Sequence, residues 1–263
     1  MKIFQPLFFI TFCILISGCS SDFMKELEDA RLVQLKPIAV YPIEVSDPSG
    51  LTLDISGEYL WTVSDDSGDF IYRISFEGEI LEIITGYSAD DMEGITMNSN
   101  DGTLWIVEER LRHIVQLTTD GEVLQTVNVP VDSTNLNDGL EGIAWNPQND
   151  HVFILNEKNP RRFIELNAEF DLVRSVSINF DPPHDMSDLS GLFYIHEDEE
   201  FWFVSDQSKK IVVSDINLNP IRGYQLDRKK FEGIAVDRLN NRLYLVNDEE
   251  EKLYTFELPD RLE

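Results

Sequence analysis

Residues 231–248 read FEGIAVDRLNNRLYLVND, and the order of residue types along them decides the fold. Gly233 is followed by Ile234, and an aromatic, Tyr244, stands eleven residues after the glycine, an aliphatic, Val246, thirteen after, and an acid, Asp248, fifteen after. Asn240-Asn241 between the two apolar runs is a hairpin turn signal. Working outward, the same ruler is laid down at Gly50, Gly94, Gly142 and Gly191, each followed by Leu51, Ile95, Ile143 or Leu192. Trp61, Trp105, Phe153 and Trp202 take the aromatic place, Val63, Val107, Leu155 and Val204 the aliphatic one, and Asp65, Glu109, Glu157 and Asp206 the acidic one.

The glycines are 44, 48, 49 and 42 residues apart, the length of a four-stranded propeller blade. In the first unit strands are expected at 51–54, 60–64, 70–75 and 79–85, separated by the turn residues Ser56-Gly57-Glu58 and Glu77-Gly78. Asp101-Gly102, Asp120-Gly121 and Asn149-Asp150 repeat the punctuation, and no stretch keeps a helical period. The last unit has no fourth strand after residues 253–257, whereas residues 35–45, ahead of the first glycine, have strand composition. They complete the last blade and remove the open edges of the ring. The expectation is an all-β, five-bladed β-propeller of four-stranded antiparallel blades over residues 35–263, closed by an N-terminal strand pairing into the last blade. No spare 40-residue segment exists for a sixth blade. The aromatics eleven residues after each glycine are expected as blade core.

Composition bounds the function. With 16 Phe, 8 Tyr and 4 Trp in 263 residues the chain can bury a sizeable core. Its formal charge of -28 excludes a sequence-independent grip on nucleic acid and disfavours polyphosphates and anionic membrane surfaces. Cations, neutral molecules and basic partners are the permitted ligands.

The amino terminus reads as an address. Residues 3–21 carry no charge, Lys2 precedes an apolar run, and the run ends in Ile16-Ser17-Gly18-Cys19, which resembles a bacterial lipobox. Residues 1–18 are expected as a lipoprotein signal peptide, Cys19 as the acylated (diacylglyceryl and palmitate) mature terminus, and residues 19–34 as a tether. Removal of Cys13 leaves no internal disulfide. The membrane is then touched only through the lipid. Ser20 lacks the aspartate that retains such proteins at the inner membrane, which favours the periplasmic face of the outer membrane in a Gram-negative cell. A monomer is expected.

In a blade, the residue just before the glycine and the acid fifteen after it fall at the same end of the inner hairpin. One face should therefore collect Glu93, Glu141 and Glu232, then Asp47, Asp91 and Asp188, then the five outer acids from Asp65 to Asp248. Three carboxylates about 6 Å apart repel by about 3 kcal/mol per pair at an effective dielectric of ~20. No lysine or arginine is expected at the aligned positions, so protonation or a cation must compensate. Ca²⁺, which takes several oxygens in adaptable geometry, suits carboxylates arriving from different blades. The candidate ligands are Glu93, Glu141, Glu232, Glu157, Asp206 and Glu109. The outer acids are equally readable as solvated turn residues. His184, in the loop entering the fourth blade, could reach the same mouth. No Gly-x-Ser-x-Gly, His-Glu-x-x-His, phosphate loop or paired-cysteine motif occurs.

The succession Pro48-Ser49-Gly50-Leu51, Met92-Glu93-Gly94-Ile95, Leu140-Glu141-Gly142-Ile143, Leu189-Ser190-Gly191-Leu192 and Phe231-Glu232-Gly233-Ile234 resembles the SdiA-regulated, YjiK-like family of bacterial propeller proteins, distantly NHL-repeat-like. Asn156-Glu157-Lys158-Asn159-Pro160 is similar to that family's acidic-basic motif, with Asn159 where an acid is more usual. The resemblance implies a propeller with a bound calcium ion and supplies no substrate. The function it leaves is a lipid-anchored, calcium-binding module that binds a small molecule or an envelope protein. The alternative is a gluconolactonase-like, calcium-dependent hydrolase of lactones or esters, with Glu157 or Asp206 as base and Lys158 stabilising an oxyanion.

Overall fold

The computed structural model describes residues 32–66, 69–131 and 138–259, and within them every regular element is a β-strand. The expected signal peptide, Cys19 and most of the tether lie outside the described residues. Two strands lead, β1 (Val33–Gln34) and β2 (Ala39–Pro42). The first blade follows as β3 (Pro48–Leu53), β4 (Leu60–Ser64), β5 (Asp69–Ile74) and β6 (Ile80–Ala89). The second is β7 (Met92–Met97), β8 (Leu104–Glu108), β9 (His113–Leu117) and β10 (Val123–Asn128). The third is β11 (Leu140–Asn146), β12 (His151–Asn156), β13 (Arg162–Leu166) and β14 (Leu172–Ser177). The fourth is β15 (Gly191–Ile195), β16 (Glu200–Ser205), β17 (Lys210–Ser214) and β18 (Pro220–Gln225). The fifth has only β19 (Phe231–Asp237), β20 (Arg242–Asn247) and β21 (Lys252–Glu257) of its own.

Ring closure is as the sequence requires. β2 completes the fifth blade by pairing antiparallel with β21, Val40 opposite Tyr254 and Tyr41 opposite Leu253. Within each blade the consecutive strands pair antiparallel from the inside outward, so the inner strands of all five blades run in one direction along the axis. The turn residues take left-handed backbone where expected, at Gly57, Gly78, Gly102, Gly121, Asp150 and Asn241.

The core is a set of layers between neighbouring blades. Trp61, Val63 and Ile71 of the first blade pack with Ile95, Ile106 and Val115 of the second. Ile43, Val45, Leu51 and Leu60 pack with Ala235, Tyr244 and Val246, so the last interface is built like the others. The five ruler aromatics are buried, and the ruler aliphatics fully so. Along the axis the glycines let the inner strands touch. A β-carbon on Gly94 would lie 2.1 Å from the carbonyl oxygen of Glu141, and one on Gly233 2.4 Å from that of Ser49. Gly50, Gly94, Gly191 and Gly233 thus each accept the backbone of the residue preceding the next blade's glycine, and Gly142 lies against Leu192 and Gly191 instead, so close packing at the axis fixes the glutamates at the mouth.

One element is new. β1 adds to the outer edge of the fourth blade, parallel to β18, with Val33 opposite Tyr224. Leu35, buried beside Tyr224 and Leu226, gives this graft its apolar footing. Two residues of the segment assigned to the tether are therefore strand, because Val33 and Gln34 find an open strand edge.

Candidate metal centre at the acidic mouth

Where the inner strands begin, a cavity of about 250 Å³ opens on the axis. It is lined by Asp47, Ser49, Asp65, Glu93, Glu109, Glu141, Glu157, Asp188, Asp206, Glu232 and Asp248, with Lys158, Lys230 and Gln207. The positions before the glycines and fifteen after them meet there because β3, β7, β11, β15 and β19 start at this face and their hairpin partners end at it. Asp91 is the exception. It pairs with Arg110 at 2.7 Å and lies outside the lining. His184 does not reach the mouth either; its ring sits against Gly223 on the outer strand of the fourth blade.

Within the cavity the six expected ligands divide. Glu109, Glu141 and Glu157 each present a carboxylate oxygen within 4.8 Å of the others, the group of acids among the described residues that could hold a metal ion. Two come from the end of the second strand of their blades and one from the inner strand between them. Glu109 accepts a hydrogen bond from the Gly139 amide at 3.0 Å, and Glu157 holds Lys158 at 2.5 Å. Glu141, only 8% exposed, has no hydrogen-bond donor and no ion pair among the described residues. The other three are engaged elsewhere. Glu93 accepts the Ser49 hydroxyl at 2.7 Å, Glu232 lies 3.6 Å from Lys230, and Asp206 accepts from the Lys230 amide and the Gln207 side chain.

The sequence expectation that no basic residue neutralises the ring is overturned by Lys230. It occupies the position three before Gly233, where other blades carry Asp47, Asp91 and Asp188, and reaches Asp248 at 2.9 Å. That register was visible in the chain. Asp138, buried and bonded by Asn159 at 3.0 Å, had no such signal, because the third blade has Gly139 at the matching position.

Electrostatics follow from this census. Burial, then the charges of Glu93 and Glu232, push the Glu141 carboxyl well above the ordinary carboxylate range. Burial and the charge of Asp65 do the same to Glu93, against the opposing Ser49 hydrogen bond. Glu232 rises to about 8 through burial and the nearby Asp248 and Asp206, with Lys230 opposing. Glu109 and Glu157 are also raised by burial, moderated by the Gly139 amide and by Lys158 respectively. Such a site holds protons in the absence of a cation and gives them up to one.

A closed five-bladed propeller with a ring of carboxylates at one end of its axis is the class of protein defined here. The chain belongs to the SdiA-regulated family, which it matches over residues 33–257. In fold it is similar to the glutaminyl cyclase of Myxococcus xanthus, at 13% identity over 86% of this chain and 97% of that one, with a TM-score of 0.64. A chain of a nidogen/laminin complex is also similar, at 13% identity over 80% and 76% of the two chains and a TM-score of 0.57. An enzyme and a member of a protein complex share the architecture, so the fold alone assigns neither role.

Proposed function

We propose that this protein is a calcium-binding propeller, held in the bacterial cell envelope by a lipid on Cys19, that acts as a binding or scaffolding module. The observation that carries the metal is Glu141, buried beside Glu109 and Glu157 without a hydrogen bond or ion pair of its own among the described residues. An all-oxygen carboxylate set from adjacent blades fits a hard ion that tolerates irregular coordination, and fits Mg²⁺ less well because that ion demands octahedral geometry. Glu109, Glu141 and Glu157 would hold it, and the ion would supply charge neutralisation and a Lewis-acidic point at the mouth.

The hydrolase reading gains no support. Lys158, the residue to stabilise an oxyanion, is bound to Glu157, and Asp206, a candidate base, accepts from the Lys230 amide and Gln207. Calorimetric titration of chelator-treated protein should show one calcium site with weaker Mg²⁺ competition; no heat and no change in melting temperature with calcium would remove the metal. For the anchor, mass spectrometry of the mature terminus should find an acylated Cys19, and an unacylated terminus at another residue would end that part of the proposal.

A further inference from the structure

The opposite end of the ring axis carries a second cavity, of about 320 Å³, where the inner strands run out. All five blades contribute, at Leu53, Met97, Trp145, Tyr194 and Val236 among others. Its character differs from that of the acidic mouth. Trp145, Phe193 and Tyr194 supply aromatic surface, and Ile55 and Leu239, 58% and 93% exposed, stand in its lining at turn positions where polar residues are the rule.

Beside this apolar surface lie two buried carboxylates, Asp54 and Asp237, 6% and 1% exposed. Their hydrogen bonds come from neutral donors. Asp54 accepts from the Trp61 indole at 2.7 Å and the Ser56 amide at 2.8 Å, and Asp237 from the Asn240 amide at 3.0 Å and side chain at 2.7 Å. Neither forms an ion pair among the described residues, and the cationic candidates in the lining have partners: Arg238 is held by Asp198, and His196 faces Glu197 at 3.2 Å. Neutral hydrogen bonds solvate the carboxylates without cancelling their charge. The cavity is therefore an aromatic-walled space in a negative field, in a protein of net charge -28.

We infer that this cavity binds a small organic cation with an apolar body, in its simplest form an arylalkylammonium ion. The ring lies against the aromatic wall and the ammonium group is drawn toward Asp54 and Asp237, a combination that cation–π attraction reinforces. The inference is independent of the calcium site at the other mouth.

The test is titration of the protein with 2-phenylethylammonium chloride, by calorimetry and saturation-transfer NMR, in saturating calcium and again after chelation, with phenylacetate as the anion of matching shape. The ammonium probe should bind equally under both conditions, and phenylacetate about tenfold more weakly or worse. Ser99, exposed and in the lining, allows the cavity to be filled from outside the core, so Ser99→Trp should abolish binding at the parental melting temperature. Leu239→Arg, which places a cation at the most exposed lining residue, should weaken the probe about tenfold and covers the case in which the tryptophan variant misfolds. Absence of binding, equal binding of phenylacetate, displacement by calcium, which would place the probe in the acidic mouth, or full binding to a folded Ser99→Trp protein would each overturn the inference.

Discussion

Glu141→Gln should have opposite effects with and without calcium. Oxygens of Glu109, Glu141 and Glu157 lie within 4.8 Å of one another, and two full charges at that separation repel by about 3.5 kcal/mol at an effective dielectric of ~20. Part of that cost is already avoided, because burial and the neighbouring carboxylates raise the proton affinity of Glu141. A neutral amide of nearly the same shape should therefore stabilise the calcium-free protein by about 1–2 kcal/mol, or about 3–6 °C in melting temperature for a domain of this size. The gain should be larger at pH 8 than at pH 5, because more of the carboxyl is ionised in the parent at the higher pH. In calcium the order reverses. The parent gains about 2.7 kcal/mol at a hundredfold excess over Kd, while the variant, having lost a ligand, gains little. Thermal melts followed by circular dichroism, with chelator and with calcium at both pH values, decide it. A variant that melts below the parent in chelator, or that keeps the full calcium shift, would refute the account of the mouth as a strained carboxylate ring relieved by a cation.

Other consequences are as direct. Glu93, Glu141 and Glu232 bind protons more tightly folded than unfolded, so their contribution to calcium-free stability is full below the ordinary glutamate range and is lost as pH rises, with Glu232 contributing up to about pH 8. Each proton adds a slope of about 1.4 kcal/mol per pH unit, measurable by urea titration from pH 5 to 9; stability that climbs across this range would contradict the assignment. Gly94→Ala puts a β-carbon 2.1 Å from a backbone oxygen, so a neighbouring inner strand must retreat by about 1 Å, at a cost of about 1–3 kcal/mol or more, and calcium affinity should fall with it because Glu141 moves. A chain beginning at Ser46, without β1 and β2, should aggregate or melt far below one beginning at Leu35, which lacks only β1; equal melting would disprove the closure.

The blades were legible because a repeated ruler constrains every unit at once: any one strand is ambiguous, but Trp61, Trp105, Phe153, Trp202 and Tyr244 at one offset are not. The mouth was legible as a collection of acids for the same reason. Which acids meet was not, because the approach of Glu109 and Glu157 to Glu141 depends on the lateral packing of neighbouring blades, a quantity absent from within-blade spacing. Lys230 escaped by breaking a register of aspartates, and the parallel strand at Val33–Gln34 is too short to carry a pattern.

Closure by β2 gives the molecule a particular order of events during its making. The strand that must bond to β21 leaves the ribosome before the strands of all five blades, and its partner leaves after them. Until then the fifth blade lacks its outer strand and the interface between the first and last blades has only one side. A growing chain can assemble blades one after another, yet it cannot latch until β21 has been made. Such a polypeptide stays open until its last blade exists, and it becomes hard to reopen once β2 and β21 have met.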